Sequence, residues 1–283
     1  MTIMAGPEDV KAAPVDKGAW ATTVRAVDAI WAKPLAAVES VGEHLVLFGQ
    51  SMFWLFRRPF RPMIFVEAMQ FVGVESLLIV TLIGTFVGMV FSLQLVSAMR
   101  QFGAEAFVGA TLGIALTREL APVFTSIVVA ARAGAGMATE LGSMRITEQI
   151  DALSTLAVNP VQYLVTPRVV ATTLMAPLLT MLFICVGMFG GYAVAVWLLD
   201  VDRGLFLERA RWIVDSSDLI QGMTKATIFG CALSVISCAQ GYNASGGAKG
   251  VGIGTTRAVV GSFVTILILD YFLTDIILVL QNK

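Results

Sequence analysis

The sequence predicts an all-α polytopic membrane protein, and three observations carry the prediction. Hydrophobic residues make up 57% of the 283-residue chain and charged residues only 14%, where a soluble domain carries about 25% charge. Apolar runs at roughly 71–98, 106–131, 169–199, 219–240 and 258–280 each reach the ~20 residues needed to cross about 30 Å of hydrocarbon as a helix. Lipid offers the backbone no hydrogen-bond partners, so such runs must close their bonds internally. The expected architecture is an N-terminal interfacial helix, about five transmembrane helices, and a cytoplasmic coupling helix between the second and third.

Residues 1–45 read as an N-terminal extension, partly disordered or interfacial, and 46–283 as the membrane domain. The first twenty residues lack the continuous apolar core of a cleavable signal and include Glu8, Asp9, Lys11, Asp16 and Lys17. From 21 to 56, Val24, Ile30, Trp31, Leu35, Val38, Leu45 and Phe48 recur at helical spacing, and the basic RRPFRP follows at 57–62. Such a segment suits a helix lying in the headgroup plane. It equally suits a helix packed on the rest of the protein.

The net charge of −1 hides an asymmetry. With a cytoplasmic N-terminus, the inner segments hold Lys11, Lys17, Arg25, Lys33, Arg57, Arg58, Arg61, Arg132, Arg145, Arg168, Lys249 and Arg257. The outer ones keep only Arg100, Arg203, Arg209, Arg211 and Lys283. The positive-inside rule therefore favours N-inside, C-outside, with an even number of spans as the rival topology.

Within the spans, small residues recur four apart: Gly84 with Gly88, Gly109 with Gly113, Ala130 with Gly134 and Ala138, Gly187 with Gly191. Such pairs let helix backbones approach closely. Pro122 frees the carbonyl of Arg118 from its helical bond, and Pro177 is placed to act likewise in the third span. Arg118, Glu119, Lys225, Asp270 and Asp275 fall at membrane depth, where each charge costs at least ~2.5 kcal/mol and usually faces a cavity or a partner. Neighbours on a helix point about 100° apart, so Arg118 and Glu119 cannot face one way, and one of them could meet Lys225. Two readings stay open: an ion pair that keeps helices in register, or polar lining for a substrate headgroup in a water-accessible cavity.

At the end of the first span Phe91, Leu95, Ala98, Met99 and Phe102 share one helical face. Flexible Met and aromatic residues suit an adaptable apolar pocket, though lipid-facing or helix-facing bulk gives the same pattern. Between spans two and three lies a charged amphipathic island, ELGSMRITEQIDALSTLAVNP, residues 140–160. Its Glu140, Arg145, Glu148 and Asp151 interleave with Leu141, Met144, Ile150, Leu153 and Leu156. Thr147–Leu156 contains neither Gly nor Pro, so a short helix is expected, ended by Asn159-Pro160. Apolar residues of this helix could seat in a partner's groove while acidic ones set register; a solvated structural loop is the competing reading.

Other chemistries find little material. His44 is the single histidine, and Cys185, Cys231 and Cys238 lie inside spans, which leaves no zinc-type ligand set and no disulfide framework. A Walker A loop needs G-x-x-x-x-G-K-[ST]; the glycine-rich stretch 246–252 has no Gly-Lys-Ser/Thr and is expected to be an interspan loop. No cofactor is therefore expected in this chain, and any ATP and Mg would belong to a separate ATPase. A membrane-embedded enzyme lacks a nucleophile with its base.

The block RELAPVFTSIVVAARAGAGMATELGSMRITEQIDALSTLAVNP (118–160), with TPRVVA at 166–171 and GVGIGTTRAVV at 250–260, closely resembles the MlaE/YrbE permeases. These are membrane subunits of ABC transporters associated with MCE proteins, and the resemblance covers about 45–283. It implies five spans after an interfacial elbow helix, a permease homodimer in the bacterial inner membrane, and a cytoplasmic ABC ATPase that receives the 140–156 island as a coupling helix. It further implies transport of phospholipid or a related hydrophobic substrate to or from a periplasmic MCE ring. By the same resemblance Arg118 and Glu119 match a family Arg-Glu pair, and Lys225 stands where a basic residue is expected.

Together these readings place acyl chains near Phe91, Leu95, Ala98, Met99 and Phe102, a headgroup near Arg118, Glu119 and Lys225, and ATPase coupling at Glu140, Arg145, Glu148, Asp151 and Leu153. The alternative is an ion-coupled secondary transporter of a hydrophobic substrate using Glu119, Lys225 and Asp270, although no inverted repeat with paired broken helices is visible.

Overall fold

The computed structural model describes residues 42–55, 57 and 61–281. The chain divides into two compact units, Met1–Leu45 and Val46–Lys283. Of the first, only 42–45 are described, and they are helical. The expectations for residues 1–41, including the polar start and most of the amphipathic stretch, lie outside the described residues.

The second unit is helical throughout, with no strand among the described residues. Helix α1 covers residues 46–55. Four long helices follow, interleaved with two short ones: α2 (Pro62–Arg100), α3 (Glu105–Ile146), short α4 (Gln149–Thr155), α5 (Val161–Leu198), short α6 (Arg203–Ile213) and α7 (Ser216–Tyr242). The last is α8 (Gly247–Gln281). Helices α2, α3, α5, α7 and α8 are the 5 long and apolar enough to cross a membrane, so the protein is an all-α polytopic membrane protein.

Each break has a local cause. Pro62 opens α2 in the first turn, where its missing N–H costs nothing. A 3₁₀ turn at Val74–Ser76 divides α2 into an 11-residue leading part and the span proper. Asp202 caps α6 by accepting from the Leu205 amide at 2.8 Å, and Asp215 with Asp218 forms a capping box at the start of α7. Gly246 and Gly247, at φ +87° and +70°, supply the left-handed turn that launches α8. Helix α8 therefore begins eleven residues before the expected span at 258, and the glycine-rich stretch expected as a loop is helical from Gly247 onward. It packs against the end of α3, which gives that turn a scaffold no hydropathy scan registers.

Helix α5 lies between α2 and α7, and α7 in turn packs on α8 and on the second half of α3. Small residues make these crossings close. A methyl group on Gly88 would enter the backbone of Gly187, and one on Gly190 the carbonyl of Thr85, while Gly84 lies under Val186 and Phe183. Gly222 meets the Thr117 carbonyl and Gly241 the Ala138 carbonyl. The four-residue small motifs thus act as packing surfaces, as expected where no hydrophobic force joins helices. Ser92, fully buried, donates to the Gly191 carbonyl at 2.8 Å across the α2–α5 seam. By contrast α8 turns Val260, Val264, Leu267, Ile268, Tyr271 and Phe272 outward, an apolar exterior suited to hydrocarbon or another membrane helix.

Candidate functional site

Helix α3 carries both candidate regions, Arg118-Glu119 near its start and Glu140 near its end. Twenty-one residues of helix separate Glu119 from Glu140, about 30 Å at 1.5 Å per residue. The helix is not uniform. Pro122 has no N–H for the carbonyl of Arg118, and its ring crowds that carbonyl; the turn Leu116–Leu120 opens into a π-helix. A second π turn spans Ala130–Gly134. Such turns recur at functional positions because they re-aim side chains. Pro177, by contrast, sits inside an unbroken α-helical stretch of α5.

At the first π turn the two charges part company. Glu119 Oε2 accepts from Lys225 Nζ at 2.7 Å, and the same ammonium donates to Asp270 Oδ1 at 2.9 Å and Thr274 Oγ1 at 2.7 Å. Its three protons have three acceptors, drawn from α3 and α8, and Lys225 is completely buried. Arg118 turns instead to Asp218, with Nε 2.7 Å from Oδ1. The other oxygen of Asp218 accepts from the Asp215 amide at 3.0 Å. One carboxylate therefore both caps α7 and holds Arg118. The outer faces of the cluster are open: the side chain of Glu119 is 41% exposed and that of Arg118 32%. Sequence reasoning allowed one of Arg118 and Glu119 to meet Lys225 without choosing between them, and it missed Asp218 as a partner, although the Asp-x-x-Asp spacing ahead of an apolar run was a readable N-cap signal.

The apolar candidates lie on a different helix pair. Phe91, Leu95 and Met99 continue a half-buried row begun by Ile83 and Val87, packed against the core beside the α2–α5 seam. Ala98 is exposed and Phe102 is 81% exposed just past the end of α2. The charged cluster is built from α3, α7 and α8, so the two sets of candidates sit on separate elements.

At the far end, α3 runs on to Ile146, past the expected end of the second span at 131, and the island begins inside it. Glu140 pairs with Arg168 of α5 at 2.8 Å. Arg145 bonds Asp151 at 2.6 Å and lies over the Tyr242 ring at 6.0 Å. Glu148 takes a left-handed conformation (φ 58°) and turns the chain into α4, which is shorter than expected because Ala157 (φ 59°) turns the chain again. Asn159 starts α5 as well as ending the island, accepting from the Val161 and Gln162 amides at 3.0 and 3.2 Å. Ile150 is fully buried within this chain and Leu153 packs against its core, whereas Glu148, Asp151 and Leu156 are exposed. The outward surface of the island is thus mainly acidic and polar, and most of its apolar residues are used internally.

A second arginine ties the middle of α3 to α2. Arg132, in the π turn, donates to the Phe71 carbonyl and to Glu75, and stacks over the Phe71 ring at 4.6 Å. It brackets the 3₁₀ break in α2.

The family model for permease MlaE matches residues 65–276. The chain belongs to the MlaE permease family. Its relatives include a probable ABC transporter permease protein of Synechocystis sp., 43% identical over 74% of this chain and 80% of that protein. A probable ABC transporter permease protein of Rickettsia prowazekii is 39% identical over 83% of this chain and 95% of its own length. The intermembrane phospholipid transport system permease protein MlaE of Haemophilus influenzae is 38% identical over 75% of this chain and 81% of that protein. This MlaE-family chain is accordingly a multi-pass membrane permease of the ABC transporter kind.

Proposed function

We propose that this permease moves phospholipid or a related hydrophobic substrate between the bacterial inner membrane and a periplasmic MCE protein, powered by a separate cytoplasmic ATPase. In this reading two copies of the chain enclose the cavity, the N-terminus is cytoplasmic, and ATP with Mg is bound by the ATPase alone. The observation that carries the proposal is the pair of half-open charges, Arg118 and Glu119, placed about 30 Å along one helix from an exposed acidic segment. Charges left bare to hydrocarbon are costly; an opening toward a water-accessible cavity removes that cost and offers a zwitterionic or anionic headgroup its partners.

Helix α3 is the lever. At one end the ATPase engages Glu148, Asp151 and the neighbouring surface of α4, with Glu140 and Arg145 fixing that segment to α5 and α7. At the other end Arg118 and Glu119 contact the headgroup while Lys225 and Asp270 hold Glu119 in place. Acyl chains lie against the α2 face that includes Phe91, Leu95, Met99, Ala98 and Phe102. Closing of the ATPase subunits moves the island, and α3 conveys the motion to the cavity.

The test is reconstitution of the permease with its ATPase and MCE partner in proteoliposomes, with lipid transfer and ATP hydrolysis read together. Glu148→Lys and Asp151→Lys are expected to abolish lipid-stimulated hydrolysis and transfer while leaving the melting temperature in place. Unchanged stimulation in both variants would overturn the coupling role. Transfer that persists without any ATPase, and follows an imposed ion gradient, would instead support the ion-coupled reading built on Glu119, Lys225 and Asp270.

A further inference from the structure

A cleft of about 140 Å³ opens between the end of α1, the start of α2 and the connection from α4 to α5, and the transport scheme above makes no use of it. Its wall includes Trp54, Arg57, Arg61, Asn159, Tyr163 and Thr166. Arg57 lies over the Phe53 ring at 4.4 Å and the Trp54 ring at 5.5 Å, and Arg61 over the Tyr163 ring at 5.4 Å. Among the described residues neither arginine forms an ion pair. A guanidinium placed over aromatic rings and without a carboxylate partner still has N–H donors to offer, and its fork matches the oxygens of a phosphate two at a time.

We infer that this cleft is a docking site for the phosphate of an anionic phospholipid in the leaflet beside the coupling segment. A lipid is favoured over a soluble phosphate by the helices that wall the cleft: Met52 and Phe53 of α1 and Met63 and Val66 of α2, next in sequence to the lining residues Trp54, Ile64 and Phe65, are all about half exposed or more and offer apolar surface to acyl chains. The cleft has room for a headgroup, and that surface takes the rest. Tyr and Trp beside arginine are the residue types that settle at the headgroup level. The site also touches the coupling machinery, because Ala157, Val158 and Asn159 form part of its wall and are the exit from α4. Which leaflet is involved rests on the orientation proposed above; the binding itself does not.

The full chain is purified into nanodiscs of equal parts phosphatidylcholine and phosphatidylglycerol, without ATPase or ATP, and retained lipid is identified by native mass spectrometry. A preference for phosphatidylglycerol is expected that falls about fivefold for Arg57→Gln and again for Arg61→Gln, the discrimination one interfacial arginine typically supplies. Arg57→Lys and Arg61→Lys, which keep the charge but lose the two-pronged edge, should recover only part of it, and Lys249→Gln, on the same side, should keep all. Wild type without preference, or an Arg57→Gln, Arg61→Gln double variant that retains it, overturns the inference. Displacement of the lipid by excess soluble glycerol phosphate would assign the site to a free phosphate instead and overturn it too. Should the double variant fail to fold, a photoactivatable phosphatidylglycerol on the wild type decides: labelling within 52–66 and 157–167 supports the site, and its absence there refutes it. Because retention is read without transport, failure here leaves the permease mechanism standing, and failure of coupling leaves this site standing.

Discussion

The two ends of α3 hold their charges by opposite means. At the Glu119 end, Lys225 of α7 is fully buried and its partners come from two other helices, α3 and α8. At the Glu140 end, the Arg145–Asp151 pair closes within one short segment, and its side chains are 37% and 60% exposed. Interactions of the first kind unite the bundle, since removing one partner strands the others away from water. Pairs of the second kind contribute little to stability, since water screens them. The end proposed to be engaged by the ATPase is therefore the end that can be altered without unfolding the protein.

Lys225→Met should show the largest effect, a loss of about 3–5 kcal/mol, because Glu119 and Asp270 are left facing each other without their cation; thermal unfolding in detergent measures it. A mild effect would break the contrast. Asp218→Ala should come next at about 2–3 kcal/mol, since it removes both the partner of Arg118 and half of the α7 capping box; Asp218→Asn, which keeps an acceptor, should recover part of it. Gly88→Ala drives a methyl group into the Gly187 backbone and should cost about 1–3 kcal/mol by overpacking, read in the same melt. At the opposite end Arg145→Gln should cost under about 1 kcal/mol while lowering ATPase-driven lipid transfer severalfold. Smallest of all, Glu148→Gly should leave the melting temperature unchanged or slightly higher, because glycine removes the left-handed strain at φ 58°.

The spans and their small-residue seams were legible because hydropathy and four-residue spacing report directly on bilayer crossing and backbone approach. That Lys225 would meet one of Arg118 and Glu119 was legible as well, since lone charges at membrane depth need company; which of the two it meets was not. Other features depend on three dimensions. Each π turn in α3 adds a residue to its turn, so helical spacing counted across Leu116–Leu120 and Ala130–Gly134 names the wrong face. Hydropathy marks where a chain leaves lipid and not where its helix stops, which is why α3 runs on through Ala135–Ile146 and α8 starts at Gly247. The amphipathic island offered Ile150 and Leu153 equally to a partner and to its own core; only their burial in the folded chain decides.

The seam between α2 and α5 carries a restriction of its own. Where Gly84 and Gly88 lie on Gly187 and Gly190, main chain rests on main chain, and Ser92 stitches the layer closed. Nothing as wide as a hydrocarbon tail can thread through such a joint. Under the proposed transport, a lipid arriving sideways from the bilayer would have to take another portal, and the two helices would travel as a single wall.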